Sequence, residues 1–126
     1  MVELRYELEP SIQAPAAARR AIERELGGRL DPEALDSLTL VVSELITNSV
    51  SHGPGKPILL ELAVDPDGTV RGEVADQGEG SVEIREVSLV GAGGRGLRIV
   101  DALTERWGVY EGSTHVWFQL SPPNPL

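Results

Sequence analysis

The sequence predicts an α+β fold: a two-layer α/β sandwich, its mostly antiparallel mixed sheet carrying helices on one face. Three observations predict it. Residues 2–8, 58–64, 70–74 and 116–120 repeat with the period of two that marks a half-buried strand, as Ile58, Leu60, Leu62 and Val64 do against Leu59, Glu61 and Ala63. Segments of helical periodicity precede and interrupt these runs instead of alternating with them one for one. The second and third runs are joined by Asp65-Pro66-Asp67-Gly68, a turn that makes a hairpin and therefore an antiparallel pair.

The elements follow in order. Val2, Leu4, Tyr6 and Leu8 form the first strand, which Pro10 ends. A helix is expected within residues 11–29, its start limited by Pro15 and its end set by Gly27-Gly28. Asp31-Pro32 supplies a capping side chain and a proline at the first helical position of a second helix. That helix places Leu35, Leu38, Val42, Leu45 and Ser49 on one face and breaks at Gly53-Pro54-Gly55. The hairpin strands come next, and a long, poorly periodic loop occupies residues 77–93. Leu97, Val100 and Leu103 mark a last helix, expected to end at Gly108. Residues 109–111 and 116–120 close the chain as two short strands around Gly112-Ser113. Residues 1–121 are read as a single domain and 122–126, which hold three prolines, as a tail.

Composition narrows the function. With 11 basic and 20 acidic residues the net charge is −9, a field that repels phosphate backbones and argues against nucleic acid as a partner. The absence of cysteine removes disulfides, thiolate metal sites and cysteine nucleophiles. No apolar run approaches the roughly 18 residues of a membrane span, and the N-terminal residues do not resemble a signal peptide. The expectation is a cytoplasmic protein without a membrane partner.

Three constellations could carry chemistry. Glu44, Asn48 and His52, at i, i+4 and i+8, form one polar stripe about 100° around the second helix from its apolar face. Such a stripe can line a pocket at the core's edge; taken alone, a solvated face with a capping histidine is the stronger account. Asp76-Gln77-Gly78-Glu79-Gly80 follows a strand, so a carboxylate and a glycine-permitted backbone could both approach a flat ligand. An ionised Asp only accepts hydrogen bonds, which suits the N6 amine of adenine. An ordinary Asp/Gly turn explains this motif about as well. Gly91-Ala92-Gly93-Gly94-Arg95-Gly96 precedes the last helix, where free N–H groups and the dipole's positive end favour phosphate. The segment also matches the dinucleotide fingerprint G-x-G-x-x-G, with Glu111 lying 20 residues beyond Gly91. No convincing buried strand precedes it, and only 30 residues follow Gly96, too few for that fold.

Other classes lack support. No P-loop and no G-x-S-x-G elbow occurs, and His52 and His115 are not in a metal-ligand spacing. Trp107, Tyr110, Trp117 and Phe118 read as strand-packing aromatics and not as a base-stacking platform.

Taken together and in order, the motifs resemble those of the GHKL (Bergerat-fold) ATPases. Residues 44–52, Glu-Leu-Ile-Thr-Asn-Ser-Val-Ser-His, look like the family's N box. Asp76 to Gly80 resembles its first glycine box, Gly93-Gly94-Arg95-Gly96-Leu97 its second, and Ser113-Thr114 the threonine motif of its last strand. Within that superfamily the size and the N-box helix look most like the anti-sigma-factor serine-protein kinases. The resemblance implies ATP and Mg²⁺ as cofactors. It implies that Asn48 holds the Mg²⁺ ion and that Glu44 is the general base or the water-orienting carboxylate. His52 would sit at the nucleotide's edge, and Asp76 would accept from adenine N6 with help from Thr114. Gly78 and Gly80 would admit the base, while Gly93, Gly94, Gly96 and Leu97 would carry the loop over the phosphates. Arg95 would be the phosphate-contacting cation, with Arg85 the loop's other candidate.

The activity so implied is transfer of the ATP γ-phosphate to a serine of an anti-sigma-factor antagonist, coupled to regulation of a sigma factor. The partners implied are that antagonist and the sigma factor, together with a second copy in a homodimer. The alternative is a non-catalytic switch in which nucleotide sets affinity for a protein partner. The segment from Gly78 to Gly94 is expected to close over bound phosphates, being long, glycine-rich at both ends and poorly periodic.

Overall fold

A computed structural model describes residues 1–53, 55–77, 94–110 and 115–121, with residues 94–96 as backbone only. Strand β1 (Val2–Leu8) points alternate side chains at the core, as its period requires. Helix α1 (Ala14–Leu26) is shorter than residues 11–29. Ser11 instead closes a turn by accepting from the Ala14 N–H at 3.0 Å, and Pro15 occupies the first helical turn, where its missing N–H is not needed. At the other end Gly27 donates to the Glu23 carbonyl, and Gly28 takes a left-handed φ of 86°.

Helix α2 (Pro32–His52) begins where its cap predicts, the Asp31 carboxylate accepting from the Glu33 N–H at 3.0 Å. Its 21 residues span about 32 Å, enough to cross the whole sheet. It packs against α1 on one side and against α3 (Gly94–Leu103) on the other. Val41 and Ile46 are therefore buried along with Leu38, Val42 and Leu45, a wider apolar stripe than a surface helix would show.

Strands β2 (Ile58–Val64) and β3 (Val70–Ala75) form the hairpin. Its turn is held by Asp67, which accepts from the Thr69 N–H, and by a 2.8 Å ion pair between Arg71 and Asp65. The chain closes with β4 (Arg106–Val109) and β5 (Val116–Leu120). Here the structure departs from the sequence reading. The last helix ends at Leu103, and Gly108 lies inside β4 instead of terminating a helix. The reason is a cross-strand one: Glu105 N–H already donates to the Gln119 carbonyl, and the Trp117 ring covers Gly108 so closely that a Cβ there would lie 2.9 Å from it. Gly108 makes room for an indole and does not break an element.

The sheet order is β1-β2-β3-β5-β4, and every pairing among the described strands is antiparallel. Leu4, Leu62, Gly72, Phe118 and Trp107 fall in one row across its inner face. The three described helices cover that face, and one core joins Ile22, Leu26, Leu45, Ile46, Leu97 and Val100 to Leu60, Val74 and Phe118. Burial of this kind contributes roughly 1.5–3 kcal/mol for each large apolar side chain. The Trp107 indole N–H, donating to Asp101 at 2.8 Å, ties β4 to α3. Among the described residues no helix lies over the other face of the sheet. No helix among the described residues is long and apolar enough to cross a membrane.

Candidate functional site

The end of α2 and the end of β3 meet beside Gly53. Glu44, Asn48 and His52 lie on three successive turns of α2, each half-buried, at the margin between the core and solvent. Gly53 caps the helix, its N–H donating to the Ser49 carbonyl at 2.8 Å. A Cβ built on Gly53 would stand 2.3 Å from that carbonyl oxygen and 3.2 Å from both Cβ and Oδ2 of Asp76. Glycine is thus what lets the carboxylate seat itself against the helix end.

Asp76 follows the last residue of β3, the middle strand of the sheet. It is 5% exposed and is the one buried charged residue among those described. A buried carboxylate is costly without polar partners, and the C-terminal end of α2 beside it carries the negative end of the helix dipole, so its placement there points to function and not to stability. The next residue, Gln77, has a φ of 62°, in the left-handed region that a side chain other than Gly, Asn or Asp rarely occupies. Its amide Nε2 donates to the Pro57 carbonyl at 2.6 Å.

The structure therefore brings Asp76 to the C-terminal end of the Glu44-Asn48-His52 stripe, against Gly53, the residue that follows His52. Leu97, in the first half of α3, is buried in the core beside α2. Gly94, Arg95 and Gly96 form the first turn of α3, where the sequence reading has them precede the helix. Gly78, Gly80, Arg85, Gly93 and Thr114 lie outside the described residues, as does the glycine-rich loop up to Gly94.

Two residues of this site were not legible as such from the sequence. Gly53 reads there only as a helix breaker, because a glycine that stops a helix and one that admits a neighbour are the same letter. Gln77 reads as a loop residue, since glutamine carries no preference for a left-handed backbone. The chemistry of the set is that of oxygen donors and acceptors. Two carboxylates, a side-chain amide and an imidazole could hold an exocyclic amine donor at one end and a hard cation at the other.

On the opposite face of the sheet lies a shallow trough of about 790 Å³, lined by Glu3, Arg5, Glu61, Arg71, Glu73 and Trp117 among others. Tyr110 stands at its rim. Its hydroxyl hydrogen-bonds the Glu73 carboxylate, which together with partial desolvation pushes the phenol above its ordinary range. The Tyr110 ring also meets His115 edge-on, with centroids 6.0 Å apart. Asp76 does not line this trough, so the two features are separate.

Comparison with known proteins addresses the fold and the family. Residues 8–120 match the family model described as the histidine kinase-like ATPase domain. An anti-sigma F factor from Heyndrickxia coagulans is 42% identical over 65 residues, covering 46% of this chain and 44% of that protein. The crystal structure of the RsbU and RsbW domains of Rv1364c from Mycobacterium tuberculosis is similar with a TM-score of 0.72 at 21% identity, a likeness that speaks for the fold. It covers 99% of this chain and 34% of the other. The chain spans less than half the length of either relative.

Proposed function

Because the chain belongs to the histidine kinase-like ATPase domain family, we propose that it is an ATP-binding serine-protein kinase of the anti-sigma-factor type. In this reading it transfers the ATP γ-phosphate to a serine of an anti-sigma-factor antagonist and thereby regulates a sigma factor. The name of the Heyndrickxia coagulans relative supports that branch of the family. The observation that carries the nucleotide reading is Asp76, a buried carboxylate at the end of the middle strand, fitted against a glycine that leaves room beside it.

The residues present fit the implied cofactors. Asp76 offers an acceptor to an exocyclic amine, and Gly53 lacks the Cβ that would crowd it. Asn48 presents a neutral oxygen and Glu44 a carboxylate one turn earlier, donors of the hard type that Mg²⁺ takes. Among the described residues no group of three or more His, Asp or Glu side chains is placed to cage a metal. Mg²⁺ would thus rest on Asn48, the nucleotide's own phosphates and water, and would neutralise phosphate charge in this acidic protein.

The chain's own part in transfer is positioning. Glu44, on the same stripe as Asn48, accepts the proton of the attacking serine hydroxyl as its oxygen bonds to the γ-phosphorus and ADP leaves. His52 borders the nucleotide beside Asp76. Gly78, Gly80, Gly93, Gly94, Arg95, Gly96, Leu97 and Thr114 keep the roles that the resemblance implies. Residues 1–121 act as one ATP-binding domain in the cytoplasm, with 122–126 as a tail.

A second copy is the occupant we assign to the sheet face that no described helix covers. In the strand register Glu3, Ala63, Arg71 and Gln119 form one outer row, and Arg5, Glu61, Glu73 and Trp117 the next. A twofold axis between the rows and across the strands lays each row on the other. That sets Glu3 over Arg5 and Arg71 over Glu73, a self-complementary pattern.

The deciding experiment incubates the protein with ATP, Mg²⁺ and candidate antagonist proteins and seeks phosphoserine by mass spectrometry. Phosphate on an antagonist serine supports the kinase. Nucleotide binding with no transfer to any antagonist overturns it in favour of a nucleotide-dependent binding switch.

A further inference from the structure

We propose that Gln77 is a positioning residue that aims the Asp76 carboxylate and so sets the preference for adenine over guanine; this rests on the reading of Asp76 as the adenine acceptor. The β2–β3 ladder ends at the pair Leu59 and Ala75. Continued by the same register, the next positions opposite one another are Ile58 with Asp76 and Pro57 with Gln77. Pro57 has no N–H, so a regular rung cannot form there. At that point the chain turns: Gln77 adopts a φ of 62°, and its side-chain amide, at 2.6 Å, donates to the Pro57 carbonyl. The Pro57 carbonyl, left at the end of the ladder, takes its hydrogen bond from a side chain.

The consequence falls on the residue between. Asp76 is held from one side by the last backbone pair of the ladder and from the other by the Gln77–Pro57 bond. Gly53 also lies against it, so close that a Cβ built there would stand 3.2 Å from Asp76 Oδ2. Asp76 thus sits in a slot between the end of the ladder and Gly53, and Gln77, anchored to Pro57, fixes the chain on its far side. A left-handed backbone disfavours glutamine relative to glycine or asparagine. At this position the side-chain bond offsets that cost, which neither of the better-suited residues could do: glycine has no amide, and the asparagine amide is one methylene short.

Selectivity is the property most sensitive to this arrangement. An adenine amine needs the carboxylate oxygen in one direction, whereas the guanine O6 acceptor is rejected by any orientation of an acceptor-only group. Loosening the slot therefore lowers ATP affinity while leaving GTP binding nearly as weak as before.

The test is calorimetric titration of ATP and GTP, each with Mg²⁺, into the wild type, Gln77→Gly, Gln77→Asn and Asp76→Asn, alongside thermal unfolding of each protein without nucleotide. The expected result is a loss of roughly five- to tenfold in ATP affinity for Gln77→Gly and Gln77→Asn, the worth of one neutral hydrogen bond, with GTP affinity unchanged. Their unfolding temperatures should not fall, since both residues suit a left-handed backbone. A structural role alone would lower the unfolding temperature and spare the ATP-to-GTP ratio. If Gln77→Gly keeps the wild-type ratio while Asp76→Asn loses it, the assignment of Gln77 is overturned and that of Asp76 stands. If the wild type binds ATP and GTP equally, both assignments are overturned.

Discussion

The ring of Phe118 on β5 lies directly over Gly72 on β3, its cross-strand partner. A Cβ built on Gly72 would stand 2.3 Å from Phe118 Cζ and 2.6 Å from Cε1, with Leu62 Cδ2 at 2.9 Å on the other side. Phe118 is 1% exposed, so its ring has nowhere to retreat. The missing side chain of one strand is replaced by the aromatic ring of the next, at the centre of the inner face.

Gly72→Ala is accordingly expected to lower stability by about 1–3 kcal/mol, the usual cost of overpacking a close-packed interior. Urea denaturation measures it. Phe118→Leu in the same chain should return part of the loss, because the smaller side chain vacates the space the new methyl needs. A strictly additive double variant would show that the two positions do not share that space.

Asp76 predicts ATP over GTP by on the order of 10²-fold, because guanine would set its O6 acceptor against a buried acceptor. Calorimetric titration with both nucleotides checks it. Asp76→Asn should weaken ATP binding outright, since the amide exchanges one acceptor oxygen for a donor.

Glu44 and Asn48 should separate chemistry from binding. Glu44→Ala is expected to bind nucleotide nearly as the wild type does and to lower turnover by roughly 10²–10⁴-fold, the worth of a positioned base. Asn48→Ala should instead weaken Mg²⁺-dependent nucleotide binding, as a hard oxygen ligand is lost. Phosphate transfer at an unchanged rate in Glu44→Ala would remove the base assignment.

Two phenols set an alkaline limit. Tyr6 is held above its ordinary value near 10 by burial and by the Glu25 charge, and Tyr110 chiefly by its hydrogen bond to Glu73. A raised folded value means that the native state keeps a proton the unfolded chain has released. The stability contributed by these groups is full below about pH 10 and is lost as pH rises through the folded values. Tyr110→Phe should flatten part of that decline when unfolding temperature is followed from pH 9 upward; an identical slope would sink this account of Tyr110.

The paired rows on the open sheet face predict a charge-swap result. Arg5→Glu should weaken a homodimer by setting two carboxylates opposite one another, and adding Glu3→Arg should restore it. Analytical ultracentrifugation over a concentration series reads the outcome. Three proteins with the same association behaviour would mean that this face is not the interface.

Strand and helix order was legible in the sequence where an element has a clean period bounded by a turn or cap, as the last helix and β4 do not. Residues 2–8 and 58–64 alternate without interruption, and Asp31-Pro32 marks the start of α2 where the structure has it. The site's polar stripe was legible for the same reason, since i, i+4, i+8 spacing survives folding unchanged. What escaped depends on neighbours distant in the chain. Gly108 looks like a stop until Trp117 is seen above it, and Gly53 looks like one until Asp76 is seen beside it. Val41 and Ile46 look peripheral until α1 and α3 are placed on either side of α2.

The β4–β5 hairpin has one further consequence. The chain has two tryptophans, and this hairpin carries both, turned to opposite layers. Trp107 faces inward with its indole bonded to Asp101 of α3, while Trp117 lies on the open side against Gly108. Each layer thus has its own intrinsic fluorophore. An emission change that survives Trp117→Phe reports on α3, and one that survives Trp107→Phe reports on the uncovered face. Events in the two layers can therefore be timed independently in the same molecule, with no label attached.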